Sequence, residues 1–89
     1  MSAHDFVYNL PARLTVEETA KQLGFAPHDI PVIVGAGLLN PLGAPAPNAP
    51  KFFATIVIQQ LASDARWLDK ATRAVGKYWQ KKRERQRIQ

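Results

Sequence analysis

The stretch from Thr15 to Leu39, TVEETAKQLGFAPHDIPVIVGAGLL, constrains this chain most, because its punctuation allows two short helices joined by a tight turn. Val16, Ala20 and Leu23 recur at i, i+4 and i+7, which puts them on one face of a helix from Val16 to Leu23. Thr15 is the natural N-cap. Its hydroxyl can accept from the Glu18 amide while the Glu18 carboxylate returns to the Thr15 amide, a reciprocal capping box. Glu17 and Glu18 also suit the positive end of the helix dipole. Gly24 stops the helix, since glycine adopts the left-handed conformation after a helix without steric cost. A second helix is expected from Pro27 or Asp29, with Ile30, Ile33 and Val34 as its buried face and Gly37 ending it before Leu38 and Leu39.

Ala20 in the first helix, Gly24 four residues on, and Leu23, Phe25, Ile30 and Ile33 at fixed offsets resemble a helix-turn-helix. Ala20 suits a close helix crossing and Gly24 suits the turn. With AGLL at 36–39, then a loop and the strand-like KFFAT, residues 14–61 resemble the winged helix-turn-helix of phage excisionases and MerR-type regulators. The resemblance implies a winged helix-turn-helix with a short β wing, and with the long basic C-terminal helix read below it makes the fold class mainly α. It also implies that the second helix enters the major groove through the outward residues His28, Asp29, Pro31 and Val32. Asn48 and Lys51 become wing contacts to the DNA backbone. The chain departs from the family pattern in one respect: no basic residue lies between Lys21 and Lys51. An aspartate facing phosphates repels them, although His28 can donate to a base or a phosphate.

The rest of the chain is read around this unit. Residues 1–13 show no helical period and contain Pro11, and Phe6 and Tyr8 alternate with Val7 and Asn9, which suits either a short extended arm or a partly ordered tail. Residues 40–50 contain four prolines and one glycine and form a loop. Residues 51–54 are strand-like. They either pair with residues near 39–42 as a wing hairpin, or follow a plain connector while Phe52 or Phe53 plugs the core. Thr55 is expected to cap an apolar helix carrying Ile56, Val57, Leu61 and Ala62, buried between its neighbours.

Asp64 is expected to cap a final helix from Ala65 to Lys82 or beyond. There Trp67, Leu68, Ala71, Ala74, Val75, Tyr78 and Trp79 fall in one apolar sector, and Arg66, Lys70, Arg73, Lys77 and Lys81 form a basic stripe beside it. Gly76 in mid-helix suggests a close helix contact or a slight bend. Past Trp79 the chain is almost wholly charged and polar, with Lys82, Arg83 and Arg85 prominent, and is expected to fray unless something binds it. The whole reads as one domain: an arm (1–13), the helix-turn-helix and wing (14–53), C-terminal helices (54–82) and a basic tail (83–89).

Charge sharpens the functional reading. The net charge is +5, yet nine basic residues and only two acids lie from Arg66 onward, so the positive charge belongs to the C-terminal segment. There is no cysteine for a disulfide or a thiolate site. No apolar run reaches the roughly 18 residues of a membrane span, and no basic-then-apolar leader opens the chain. A soluble cytoplasmic protein is therefore expected. His4 and His28 lie outside any metal-ligand spacing, Gly35 and Gly37 end a helix rather than open one, and the carboxylates are scattered. This implies no enzyme, no cofactor, no metal and no small-molecule substrate.

The expected partner is double-stranded DNA, in a transcriptional regulator or an excisionase-like architectural factor, with phosphates neutralised by the basic helix. The alternative is a protein–protein interaction module derived from the helix-turn-helix. Its uncharged second helix is the interface, and Trp67, Tyr78 and Trp79 form a homodimer seam. Those aromatics also suit core packing, and the basic stripe also suits a solvated face.

Overall fold

The computed structural model describes residues 10–88, so the extended arm expected for Phe6 to Asn9 lies outside the described residues. The chain is mainly helical with one two-stranded antiparallel sheet. In order it forms β1 (Arg13–Thr15), α1 (Val16–Leu23), a 3-10 turn (Pro27–Asp29), α2 (Ile30–Gly35), β2 (Phe52–Ala54), α3 (Thr55–Ala62) and α4 (Ala65–Ile88).

Helix α1 begins and ends where local chemistry dictates. The Thr15 hydroxyl accepts from the Glu18 amide at 3.2 Å and the Thr15 amide donates to the Glu18 carboxylate at 2.9 Å, so the capping box is complete. Gly24 follows at φ 84°, in the left-handed region. A 3-10 turn then leads into α2, which closes with the Gly37 amide donating to the Val34 carbonyl and the Leu38 amide to the Ile33 carbonyl. This paired closure satisfies carbonyls that a helix end otherwise leaves without donors.

The sheet differs from the expected wing hairpin. β2 pairs with β1, with Arg13 opposite Ala54, Leu14 opposite Phe53 and Thr15 opposite Phe52. The 39–42 region contributes one hydrogen bond, from the Leu42 amide to the Phe52 carbonyl at 2.8 Å. The register decides which phenylalanine fills the core. Leu14 and Phe53 face each other, each 1% exposed, while half-buried Phe52 lies beneath the Arg13 guanidinium, 4.0 Å from its ring centre. Around Leu14 and Phe53 gather Ala20, Leu23, Ile30, Ile33, Leu39, Ile58, Trp67 and Ala71, one core fed by every helix.

Helix α3 also corrects the sequence reading. Thr55 is its first helical residue rather than its cap, donating its amide to the Ala12 carbonyl and its hydroxyl to the Pro11 carbonyl. Ile58 is fully buried, but Ile56 is 67% exposed and Val57 is exposed beside it. A helix on the rim of a small core buries one stripe, whatever the hydrophobicity of the others.

Asp64 caps α4 as expected, its carboxylate accepting from the Trp67 amide at 3.1 Å. The helix runs on past Lys82, through Ile88, about 36 Å in all at the usual rise per residue. Gly76 makes no close contact: a Cβ built there meets nothing within 4 Å. Gly76→Ala is accordingly expected to stabilise the fold by about 0.5–1 kcal/mol, since alanine restores helix propensity at no steric cost. Thermal denaturation checks this, and a lowered melting temperature would show that Gly76 has a packing role.

Candidate nucleic-acid interface

Two indole N–H groups set α4 against α2. Trp67 donates its Nε1 hydrogen to the Leu38 carbonyl at 2.8 Å, just past the C-terminal end of α2. Trp79 donates its own to Asp29 Oδ1 at 3.0 Å, at the N-terminal end. The tryptophans are twelve residues apart, about 18 Å along a helix, so α4 is tied along the whole of the short second helix.

This arrangement corrects the placement of Asp29. Read from sequence as outward, it is buried: one carboxylate oxygen accepts from the Ala26 amide at 3.2 Å and the other from Trp79. Burying a carboxylate is tolerated because donors replace its lost water. Asp29 is therefore a structural tie rather than a groove-reading side chain. Val32 is half-buried in a cleft between α2 and α4 with Ala74 and Tyr78, so it too is partly withdrawn. Pro31 is exposed on the wall of that cleft.

His28 remains exposed. Its Nε2 is 3.6 Å from Asp29 Oδ1, and its ring stands edge to face with Trp79 at 5.3 Å between centres. On the same indole lies the Lys82 ammonium, 5.1 Å from the Trp79 ring centre. Trp79 thus gathers His28, Asp29 and Lys82 into one cluster, although the first and last belong to distant parts of the chain. Further along the same end of α4 stand Lys81, Arg83 and Arg85, all exposed.

The rest of the stripe follows the sequence reading. Arg66, Lys70, Arg73 and Lys77 are all exposed, and of the α4 cations from Arg66 to Arg85 only Arg73 has an ion-pair partner among the described residues, Asp69 at 2.9 Å. Asn48 is exposed in the proline-rich loop, while Lys51 donates its ammonium to the Pro47 carbonyl at 3.1 Å and so supports its own loop. Among the described residues no group of three or more histidines, aspartates or glutamates is placed to hold a metal ion. No described helix is long and apolar enough to cross a membrane.

Sequence reasoning assigned Tyr78 and Trp79 to packing or a dimer seam and missed their place in the cationic cluster. The signal was present in KYWQKK, two aromatics flanked by lysines. What it lacked was the partner, because Asp29 lies 50 residues away.

The Trp79–Asp29 tie has a measurable consequence. Trp79→Phe, which keeps a ring but removes the donor, is expected to cost about 1–2 kcal/mol, and Asp29→Ala somewhat more because two donors are left without their acceptor. In a double-mutant cycle by denaturant unfolding the two should be non-additive by about 1 kcal/mol. Strict additivity would show that the bond contributes nothing.

No protein family, curated protein or solved structure matches this chain, so the interface rests on its own geometry.

Proposed function

We propose that this chain binds double-stranded DNA as a small winged helix-turn-helix protein of the excisionase or MerR-like type, in a regulatory or architectural role. In this reading α4 grips the phosphate backbone and α2 does not read bases. One observation carries it: a helix of exposed cations, nearly all without ion-pair partners among the described residues, is tied across the N-terminal end of α2, beside His28. A helix-turn-helix normally presents that end to the major groove. Here α2 lacks the charge for the task and α4 supplies it at the same place. Binding by phosphate neutralisation is strongly salt-dependent and weakly sequence-dependent. The test is titration of a DNA duplex at about 50 mM salt, where micromolar or tighter binding is expected.

A second reading, a protein-interaction module, draws on a different surface. Leu42 and Val57 border an apolar groove of about 340 Å³ floored by Leu39, Phe53 and Ile58, and Ile56 is exposed beside Val57. Exposed apolar residues gathered around a groove suit a protein partner. Absence of DNA binding, together with a concentration-dependent dimer, would favour this reading.

A further inference from the structure

Tyr78 falls within the apolar sector of α4, yet it is 44% exposed, the one exposed aromatic ring among the described residues apart from the imidazole of His28. It is not loose: its ring stands edge to face with Trp79, centres 4.9 Å apart and planes at 89°, and Trp79 is itself held by Asp29. Open space lies on both sides of it. Toward the C-terminus is a notch of about 180 Å³ shared with Lys81, Lys82 and Arg85. Toward α2 is a cleft of about 450 Å³ where Pro31, Val32 and Ala74 meet Lys77 and Lys81. Among the described residues no acidic side chain lines either space. Lys82 lies 6.0 Å from the Tyr78 ring centre.

We infer that Tyr78 is a stacking platform for an unpaired base of single-stranded nucleic acid, with the flanking phosphates held by Lys81 on one side and Lys82 or Arg85 on the other. The inference rests on the reading that α4 takes nucleic acid and adds what the cations alone do not provide. Lysines and arginines attract any polyanion, whereas an oriented, solvent-facing ring between them adds an attraction that requires a flat π face. Bases inside a duplex are already stacked on one another and do not present that face to a convex helix. An acidic peptide satisfies the lysines and leaves the ring unused. Lys81 and Arg85 are one helical turn apart, so the positive charge is spread along the helix axis rather than gathered at a point.

The experiment compares an oligothymidylate with a duplex of equal length, by fluorescence anisotropy on the full chain at low salt, with polyglutamate as competitor. Two variants separate stacking from packing: Tyr78→Phe keeps the ring, and Tyr78→Leu keeps apolar bulk without a π face. Circular dichroism melts verify that both fold. Tyr78→Leu is expected to weaken oligothymidylate binding about tenfold or more while Tyr78→Phe, and duplex binding by either variant, stay within about twofold. If Tyr78→Leu leaves oligothymidylate binding unchanged, or lowers both substrates equally, the stacking platform is overturned and the cationic helix stands. Polyglutamate competing as well as oligothymidylate overturns the platform in favour of an acidic peptide. Failure to bind either nucleic acid overturns both the platform and the reading beneath it.

Discussion

Replacing Lys81, Lys82, Arg83 and Arg85 together with glutamine is expected to weaken duplex DNA binding by a factor of ten or more at low salt, without lowering the melting temperature. All four are exposed and without an ion-pair partner among the described residues, and only Lys82 touches an aromatic ring, so their replacement removes charge and little packing, and surface changes of this kind usually stay within about 0.5 kcal/mol. The net charge falls from +5 to +1. If these cations release counterions on binding, the slope of log affinity against log salt becomes shallower by roughly 0.9 for each phosphate that is no longer neutralised. The slope distinguishes a true interface from a general attraction. The same substitution made at Arg66 and Lys70, far along α4 from Trp79, should change it less. A quadruple variant with unchanged affinity and an unchanged slope would reduce the basic helix to a solvated surface and withdraw the proposed function.

Phe53→Ala is expected to destabilise the fold by about 3–5 kcal/mol, a large part of the total stability available to a domain of this size. Phe53 is almost wholly buried against Leu14 across the two-stranded sheet, and truncating it removes apolar packing and leaves a cavity the small core cannot close. Phe52→Ala is the internal control. It is half-buried beneath Arg13, so its truncation should cost roughly 1 kcal/mol, an aromatic–cation interaction and part of a side chain. Urea unfolding of both variants reads the difference directly. Equal costs, or a larger cost at Phe52, would contradict the register of β1 against β2.

These two tests probe different parts of what the sequence disclosed. The capping box of Thr15 and Glu18, the stop at Gly24, the start of α4 at Asp64 and the basic stripe were all legible, because each depends on residues within about one helical turn of one another. The choice between Phe52 and Phe53 was not. A strand side chain points to one face or the other according to its register, and that depends on Arg13–Thr15, some 40 residues earlier. The exposure of Ile56 and Val57 was hidden for a related reason. Their hydrophobicity says that they prefer burial, but only the neighbours of α3 determine which stripe of it is covered.

Asp29 shows the same limit at the candidate site. Its position near the start of the second helix suggested a side chain facing outward, and the local bond from the Ala26 amide engages only one of its two carboxylate oxygens. The indole that turns it inward belongs to Trp79, on a helix that the proline-rich loop and α3 carry back across α2. Local hydrogen bonds and helical periodicity, acting over three or four residues, thus determined the ends of α1 and the start and charged face of α4. The pairing of β1 with β2, the burial of Asp29 and the meeting of His28 with Lys82 at Trp79 were decided only in the tertiary structure. Pairings between residues about 40 to 50 positions apart arise from the packing of one shared core, and no short stretch of the chain contains both partners.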